Sequence, residues 1–246
     1  KSLKKKEILE PVYRAFDRGD FQQAIKQCDA HIQSKKNRHK NWCLKTKGSL
    51  LIKLARFDEA QKLYESVLKE RPLFWAQLGL AHALAAQNLN DAALQAFQKA
   101  YKENPASLEA YEGAARMLVK LGDGAAAQKL LEESSSISSR SVTRQKLLAE
   151  VCKLNGDFEG AAKACRSVVK QAEYGIHKSA DNDLDLADNL TEAALNAGND
   201  KQAQKLANEA LDTLQNAQKK YADPDVIVQS KLVESRVHAS QKNDKL

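Results

Sequence analysis

The chain is poor in residues that interrupt helices. Across 246 residues there are only 10 glycines and 4 prolines, and the strand-favouring aromatics reach 6%. Ala, Leu, Lys, Gln and Glu dominate instead, which excludes a β-rich fold and predicts an all-α one. No apolar run approaches the roughly 20 residues that a bilayer-spanning helix needs. The basic start "KSLKKKEILEPVYR" lacks the apolar stretch of a secretory signal. A cytoplasmic module with no membrane partner is expected. Cys28, Cys43, Cys152 and Cys165 show no CxxC and no histidine at zinc spacing. They are read as reduced thiols acting as small core residues, with no disulfide and no metal assigned. A Gly-rich phosphate loop, HExxH and GxSxG are all missing, so no catalytic residue and no cofactor is assigned and the chain is not read as an enzyme. His31, His39, His82, His177 and His238 are dispersed, as surface or packing histidines are.

What is present is a phrase written twice. "RGDFQQAIKQCD" at Arg18 to Asp29 returns as "NGDFEGAAKACR" at Asn155 to Arg166. Six hinges of this kind follow one another: Gly19-Asp20-Phe21, Arg56-Phe57-Asp58, Asn88-Leu89-Asn90, Gly122-Asp123-Gly124, Gly156-Asp157-Phe158 and Gly198-Asn199-Asp200. Glycine permits the backbone reversal after one helix, and Asp or Asn caps the free N–H groups of the next. Arg18-Gly19-Asp20 is therefore explained as a hinge rather than as an adhesion motif. A small residue follows each hinge, at Ala24, Ala60, Ala92 or Ala93, Ala127, Ala161 and Ala203, where two helices approach closely. Ala93 to Ala127 and Ala127 to Ala161 are each 34 residues.

That period, with Trp75, Leu78, Gly79, Phe97, Ala100 and Pro105 in one copy and Leu44, Gly48, Leu51, Ala60, Tyr64 and Pro72 in another, resembles the tetratricopeptide repeat. The resemblance implies a right-handed α-solenoid of about six helix-turn-helix repeats. Their expected bounds are 5–38, 41–71, 72–105, 108–141, 142–175 and 184–222, all in one domain spanning 1–246. After Asp223-Pro224, Val226, Val228, Leu232, Val233 and Val237 mark one face of a capping helix, 225–243, that would shield the last repeat. The apolar periodic positions are assigned to the core. The sixth repeat comes late, because "AEYGIHKSADND" (Ala172 to Asp183) is inserted before it. This insertion is expected to be a loop folded back over adjacent helices.

In such a scaffold, partners are expected on the concave face formed by the first helix of each repeat. Projecting repeat positions 2, 5, 6 and 9 places Trp42, Lys45, Thr46 and Ser49 there, then Ala76 and Gln77, Glu112 and Arg116, Lys146 and Glu150, and finally Asp185, Asp188, Asn189 and Glu192. A protein or peptide ligand in this groove is the expected partner. Chaperone-binding members of the family clamp a carboxylate with Lys and Asn; Leu9 and Tyr13 stand at those positions here, against that use. Residues 1–53 carry 14 Lys or Arg against 5 Asp or Glu. The stretch Ser34 to Trp42 could in principle hold phosphates, and a nucleic-acid-binding regulator ranks as a lower alternative because no nucleic-acid motif accompanies the charge.

The second and third repeats, with "VTRQKLLAEVCKLNGDFEGA" and "GIHKSADND", resemble the helical-repeat region of bacterial response regulators. That resemblance implies an upstream phosphoacceptor receiver domain, consistent with a chain that starts at Lys1 and has Met117 as its sole methionine. The expected function is a non-catalytic output module of a two-component system. An assembly scaffold or co-chaperone-like adaptor outside signalling is the alternative.

Overall fold

The computed structural model describes residues 9–34, 39–138, 140–174 and 176–243. Lys35, Lys36 and Arg38 of the basic stretch lie outside them, as do the lysines of the N-terminal run and Gly175. Among the described residues all regular structure is helical. The helices are α1 (Glu10–Asp17), α2 (Phe21–Gln33), α3 (Lys40–Lys53), α4 (Phe57–Glu70), α5 (Phe74–Ala86), α6 (Asn90–Glu103), α7 (Leu108–Lys120), α8 (Gly124–Ser134), α9 (Val142–Leu154), α10 (Phe158–Ala172), α11 (Ala180–Leu195), α12 (Asp200–Tyr221) and α13 (Pro224–Asn243). They fall into two compact units, Lys1–Leu121 and Gly122–Leu246. The boundary lies at the hinge of the fourth repeat.

The hinges work by a shared bonding pattern. Gly19 N–H donates to the Phe16 carbonyl and Asp20 N–H to that of Ala15; Gly156 and Asp157 repeat this towards Lys153 and Cys152. Gly19 and Gly156 both sit at φ +75°, the left-handed conformation that closes a helix. Two hinges reach it without glycine, through Ala55 and Asn88. Asp20, Asp123, Asp157 and Asn199 cap the next helix as expected, each accepting from a backbone N–H 2.9 or 3.0 Å away. Asp58 and Asn90 do not: they lie inside the first turn, and Arg56 and Leu89 hold the cap positions without a side-chain bond.

In the first unit, Leu9, Val12, Ala24, Cys28, Leu50, Leu51, Ala60 and Tyr64 belong to one buried cluster. On α4, Ala60, Tyr64 and Val67 are the buried residues, the stripe that a 3.6-residue period gives. Glycine makes the tightest contacts possible. A Cβ at Gly48 or at Gly79 would stand 2.3 Å from the Tyr64 ring, and one at Gly113 would stand 2.3 Å from the Phe97 ring.

In the second unit, Ala127 and Ala161 are fully buried as expected. Ala203 is only half-buried, and Leu206, Ala207 and Ala210 carry the contact of α12 instead. The closing turn of the fourth repeat is held by Arg144, a fully buried arginine whose guanidinium donates to the Ser134 and Ser138 carbonyls. Helix α13 packs on α11 and α12 as a cap should. Its buried side is Val226, Ser230 and Val237, with Val233 against Leu184, Ala187 and Leu214. Val228 and Leu232 face solvent, because a buried stripe stepping by 3 and 4 from Val226 passes them by. The insertion also departs from expectation: α11 already begins at Ala180, and the loop does not fold back, since Tyr174 is 92% and Ile176 97% exposed.

Candidate functional site

In the first unit, the first helices of the second, third and fourth repeats border a groove of about 670 Å³. Its floor is Tyr64, which reaches it from α4 because Gly48 and Gly79 leave room for the ring. Burial pushes the Tyr64 phenol pKa up, opposed by a hydrogen bond with Ser49. Phe74, Trp75 and Leu78 form the apolar wall, with Trp75 edge-on to Tyr64 at 6.4 Å between centroids. The polar rim is Lys45, Ser49, His82 and Glu109. His82 Nε2 stands 2.9 Å from Glu109 Oε1, and this hydrogen bond holds the Glu109 carboxyl below its ordinary range. Glu109 is thereby committed within the rim. The Lys45 ammonium makes no hydrogen bond or salt bridge with a described residue, and its charge acts on Glu109 through space.

In the second unit, the corresponding surface is a smaller recess of about 200 Å³ between α9 and α11. Lys146, Glu150 and Lys153 stand on one side and Asn182, Asp185 and Asn189 on the other, over Cys165 and Val168 of α10. Charges here largely answer one another. Asp188 accepts from Lys153 at 3.1 Å and from Arg236 of α13, which also pairs with Glu192. On the opposite side, α10 and α12 are tied by Arg166, whose Nε and Nη2 lie 2.5 and 2.8 Å from the two Glu209 carboxylate oxygens.

The structure thus separates the groove residues expected from sequence. Lys45 and Ser49 meet in the first groove; Lys146, Glu150 and Asn189 meet in the second recess. Gln77 is a correction: it is 4% exposed, and its amide donates to the Ala96 carbonyl, turned inward toward α6. Ala76 is buried as well. Trp42 lies against the Tyr13 ring at 5.3 Å and does not line the groove. Glu112 and Arg116 lie on α7, outside both cavities. Asp188 is engaged by its two cations. Trp75, Leu78 and Gly79, expected in the core, border the groove instead. Tyr64, Phe74, His82 and Glu109 were not anticipated as groove residues; the adjacent Phe74-Trp75 pair was the available signal, an unusual concentration of aromatic surface at the start of one helix.

All four thiols are buried, and burial pushes Cys28, Cys152 and Cys165 up to about 12, far from the reactive thiolate range. Among the described residues no helix is long and apolar enough to cross a membrane.

Paired helices, positive-φ hinges and aromatic-on-glycine contacts together define a helical-hairpin repeat protein. A family model described as "Psidin, N-terminal TPR repeats region" matches residues 7–132, and the chain belongs to that tetratricopeptide-repeat family. No curated protein matches it. Among solved structures, the C-terminal part of a TPR repeat-containing protein from Cytophaga hutchinsonii is similar at a TM-score of 0.62 and 15% identity, covering 94% of this chain and 93% of that one. A tetratricopeptide repeat protein from Parabacteroides merdae matches at 0.60 and 16% identity, over 95% and 98%. YrrB, a TPR protein described as having an unusual peptide-binding site, matches at 0.53 and 15% identity, over 77% and 90%.

Proposed function

We propose that this chain is a non-catalytic protein-interaction module that captures an extended peptide segment in the groove of its first unit. The observation that carries the reading is an open groove floored by Tyr64, walled by Phe74, Trp75 and Leu78, and edged by the Lys45 ammonium, which no described residue pairs directly. Apolar walls with few polar groups are the usual composition of a ligand site. The ligand that fits is a bulky apolar side chain flanked by an acidic group facing Lys45. A peptide-binding protein of the same fold, YrrB, supports the mode of use. The cellular setting we propose is cytoplasmic, as the output region of a bacterial response regulator. It rests on the sequence resemblance of the repeats to that class, and would make capture depend on phosphorylation of an upstream receiver.

The test is partner capture by charge and shape variants. Leu78→Asp and Lys45→Glu should each abolish capture with helicity unchanged, while Arg116→Glu and Lys146→Glu leave it intact. Capture that survives the first pair and fails with the second would place the site elsewhere. The signalling setting is tested separately, by comparing capture by the complete gene product with and without a phosphoryl donor.

A further inference from the structure

The loop between α10 and α11 shows apolar side chains to solvent from a well-held base. Ala172 at the end of α10 is buried, and beyond the turn the Asn182 amide donates to the His177 carbonyl at 2.8 Å. Between these anchors Tyr174 and Ile176 are almost fully exposed, and Glu173 is exposed beside them. The Tyr174 hydroxyl hydrogen-bonds with the Glu173 carboxylate, so ring and acid are presented together. Folding gains nothing from a tyrosine and an isoleucine held in water, whereas a protruding aromatic is a common anchor of protein contacts. The pair is also the ligand chemistry that the first groove calls for, a bulky apolar side chain flanked by an acid. Tyr64, Phe74, Trp75 and Leu78 offer apolar surface to both side chains in a volume of about 670 Å³, and Lys45 stands at the rim for a carboxylate. Charge agrees on the larger scale. Residues 1–121 carry 22 Lys or Arg against 13 Asp or Glu, whereas residues 122–246 carry 17 against 19. First units of two copies therefore repel one another, while the first unit of one copy attracts the second unit of another.

We propose that the first groove binds the 173–176 loop of a second copy of this chain, so that copies join head to tail. The proposal rests on the reading of that groove as a peptide site and names its occupant. Tyr174 and Ile176 lie on the apolar wall, and Glu173 faces Lys45. Glu109 already shares the Lys45 charge through space and is the resident competitor of Glu173. The two contacting surfaces differ, so the contact is heterologous. Each joined pair leaves one groove and one loop open, and assemblies grow by further copies unless they close into a ring.

Sedimentation velocity of the full chain, from about 1 μM to about 500 μM, tests this. The unaltered chain should pass from monomer to dimer and larger species as concentration rises. Leu78→Asp spoils the groove and keeps the loop, whereas Tyr174→Ser combined with Ile176→Ser spoils the loop and keeps the groove. Each variant should stay monomeric alone, and an equimolar mixture should form a dimer and nothing larger, the signature of a head-to-tail contact. Lys45→Glu and Glu173→Lys should each weaken association about tenfold, and joining them in one chain should restore it. This charge exchange needs no core substitution, so it decides the matter even where Leu78→Asp lowers helicity. An unaltered chain that stays monomeric throughout, or association that survives either the loop variant or the groove variant, would overturn the proposal. Peptide capture separates this failure from that of the groove reading: a monomeric chain that still captures a library peptide through Leu78 keeps its groove and loses the second copy as occupant.

Discussion

The two units present equivalent helix faces with opposite chemistry. In the first, glycines at positions 48 and 79 admit an aromatic floor, and the rim holds the Lys45 ammonium, which no described residue pairs directly. In the second, no aromatic lines the recess, and Lys153, Asp188, Arg236 and Glu192 pair across helices that include the cap. The same repeat therefore yields an apolar trough in one place and a polar, largely self-answered surface in another. The repeat fixes where a groove runs, and the few side chains at its floor decide what it can hold.

The contrast breaks most severely at Tyr64. Tyr64→Ala should cost about 3 to 5 kcal/mol, because it empties the slot between two glycines, and thermal melting would show it. Cys165→Ala, at the floor of the second recess, should cost much less. Gly79→Ala comes next: a Cβ 2.3 Å from the Tyr64 ring forces a shift worth about 1 to 3 kcal/mol. In the second unit, Ala161→Leu should cost a similar amount in melting experiments, about 1 to 3 kcal/mol, while Ala203→Leu, at a half-buried position, should be nearly neutral.

Smaller effects belong to the charges. Arg236→Ala removes both cross-helix pairs of the cap, and partly exposed pairs of this kind are worth up to about 1 kcal/mol each, less in high salt. Two carboxylates of the second unit should titrate in opposite senses. The hydrogen bonds from Arg166 lower the Glu209 pKa from its ordinary value of 4.5, so its contribution is present above 4.5 and is lost as pH falls through the lowered value. Glu209→Gln should flatten that part of the acid limb. Burial raises Asp185 above its ordinary 3.8, so its ionisation opposes folding at neutral pH, and this penalty fades as pH falls through the raised value toward 3.8. Asp185→Asn should therefore stabilise the fold slightly at pH 7 and change nothing near pH 3, as pH-dependent melts would show.

The hinges and the repeat were legible because local chemistry dictates them: Gly19, Gly156 and the capping Asp20 and Asp157 act within a few residues of one another. Ala55 and Asn88 show the limit: both are exposed, and the same backbone bonds that close the glycine hinges hold them at positive φ, which asparagine tolerates and alanine does not, so the Ala55 hinge carries no sequence signal of its own. Arg144 could not be read as core, because only the fold brings the Ser134 and Ser138 carbonyls to its guanidinium. The groove was half-legible. Projecting fixed repeat positions found Lys45 and Ser49 but treated Gln77 as outward-facing, although α6 offers it the Ala96 carbonyl. The apolar wall was hidden by its own pattern: Trp75 and Leu78 follow core periodicity, and only the Tyr64 ring lodged beside Gly79 reveals that they border open space.

The most direct test of the first groove uses its own tryptophan. The chain has two, so Trp42→Phe leaves Trp75 as the sole reporter. A peptide selected from a random library against the full chain is titrated into this variant while Trp75 emission and peptide anisotropy are followed together. Capture in the groove should shift Trp75 emission to the blue with the same saturation curve as the anisotropy, and Leu78→Asp should abolish both signals. Saturable anisotropy with Trp75 emission unmoved, persisting in Leu78→Asp, would show that the peptide binds elsewhere and contradict the groove assignment.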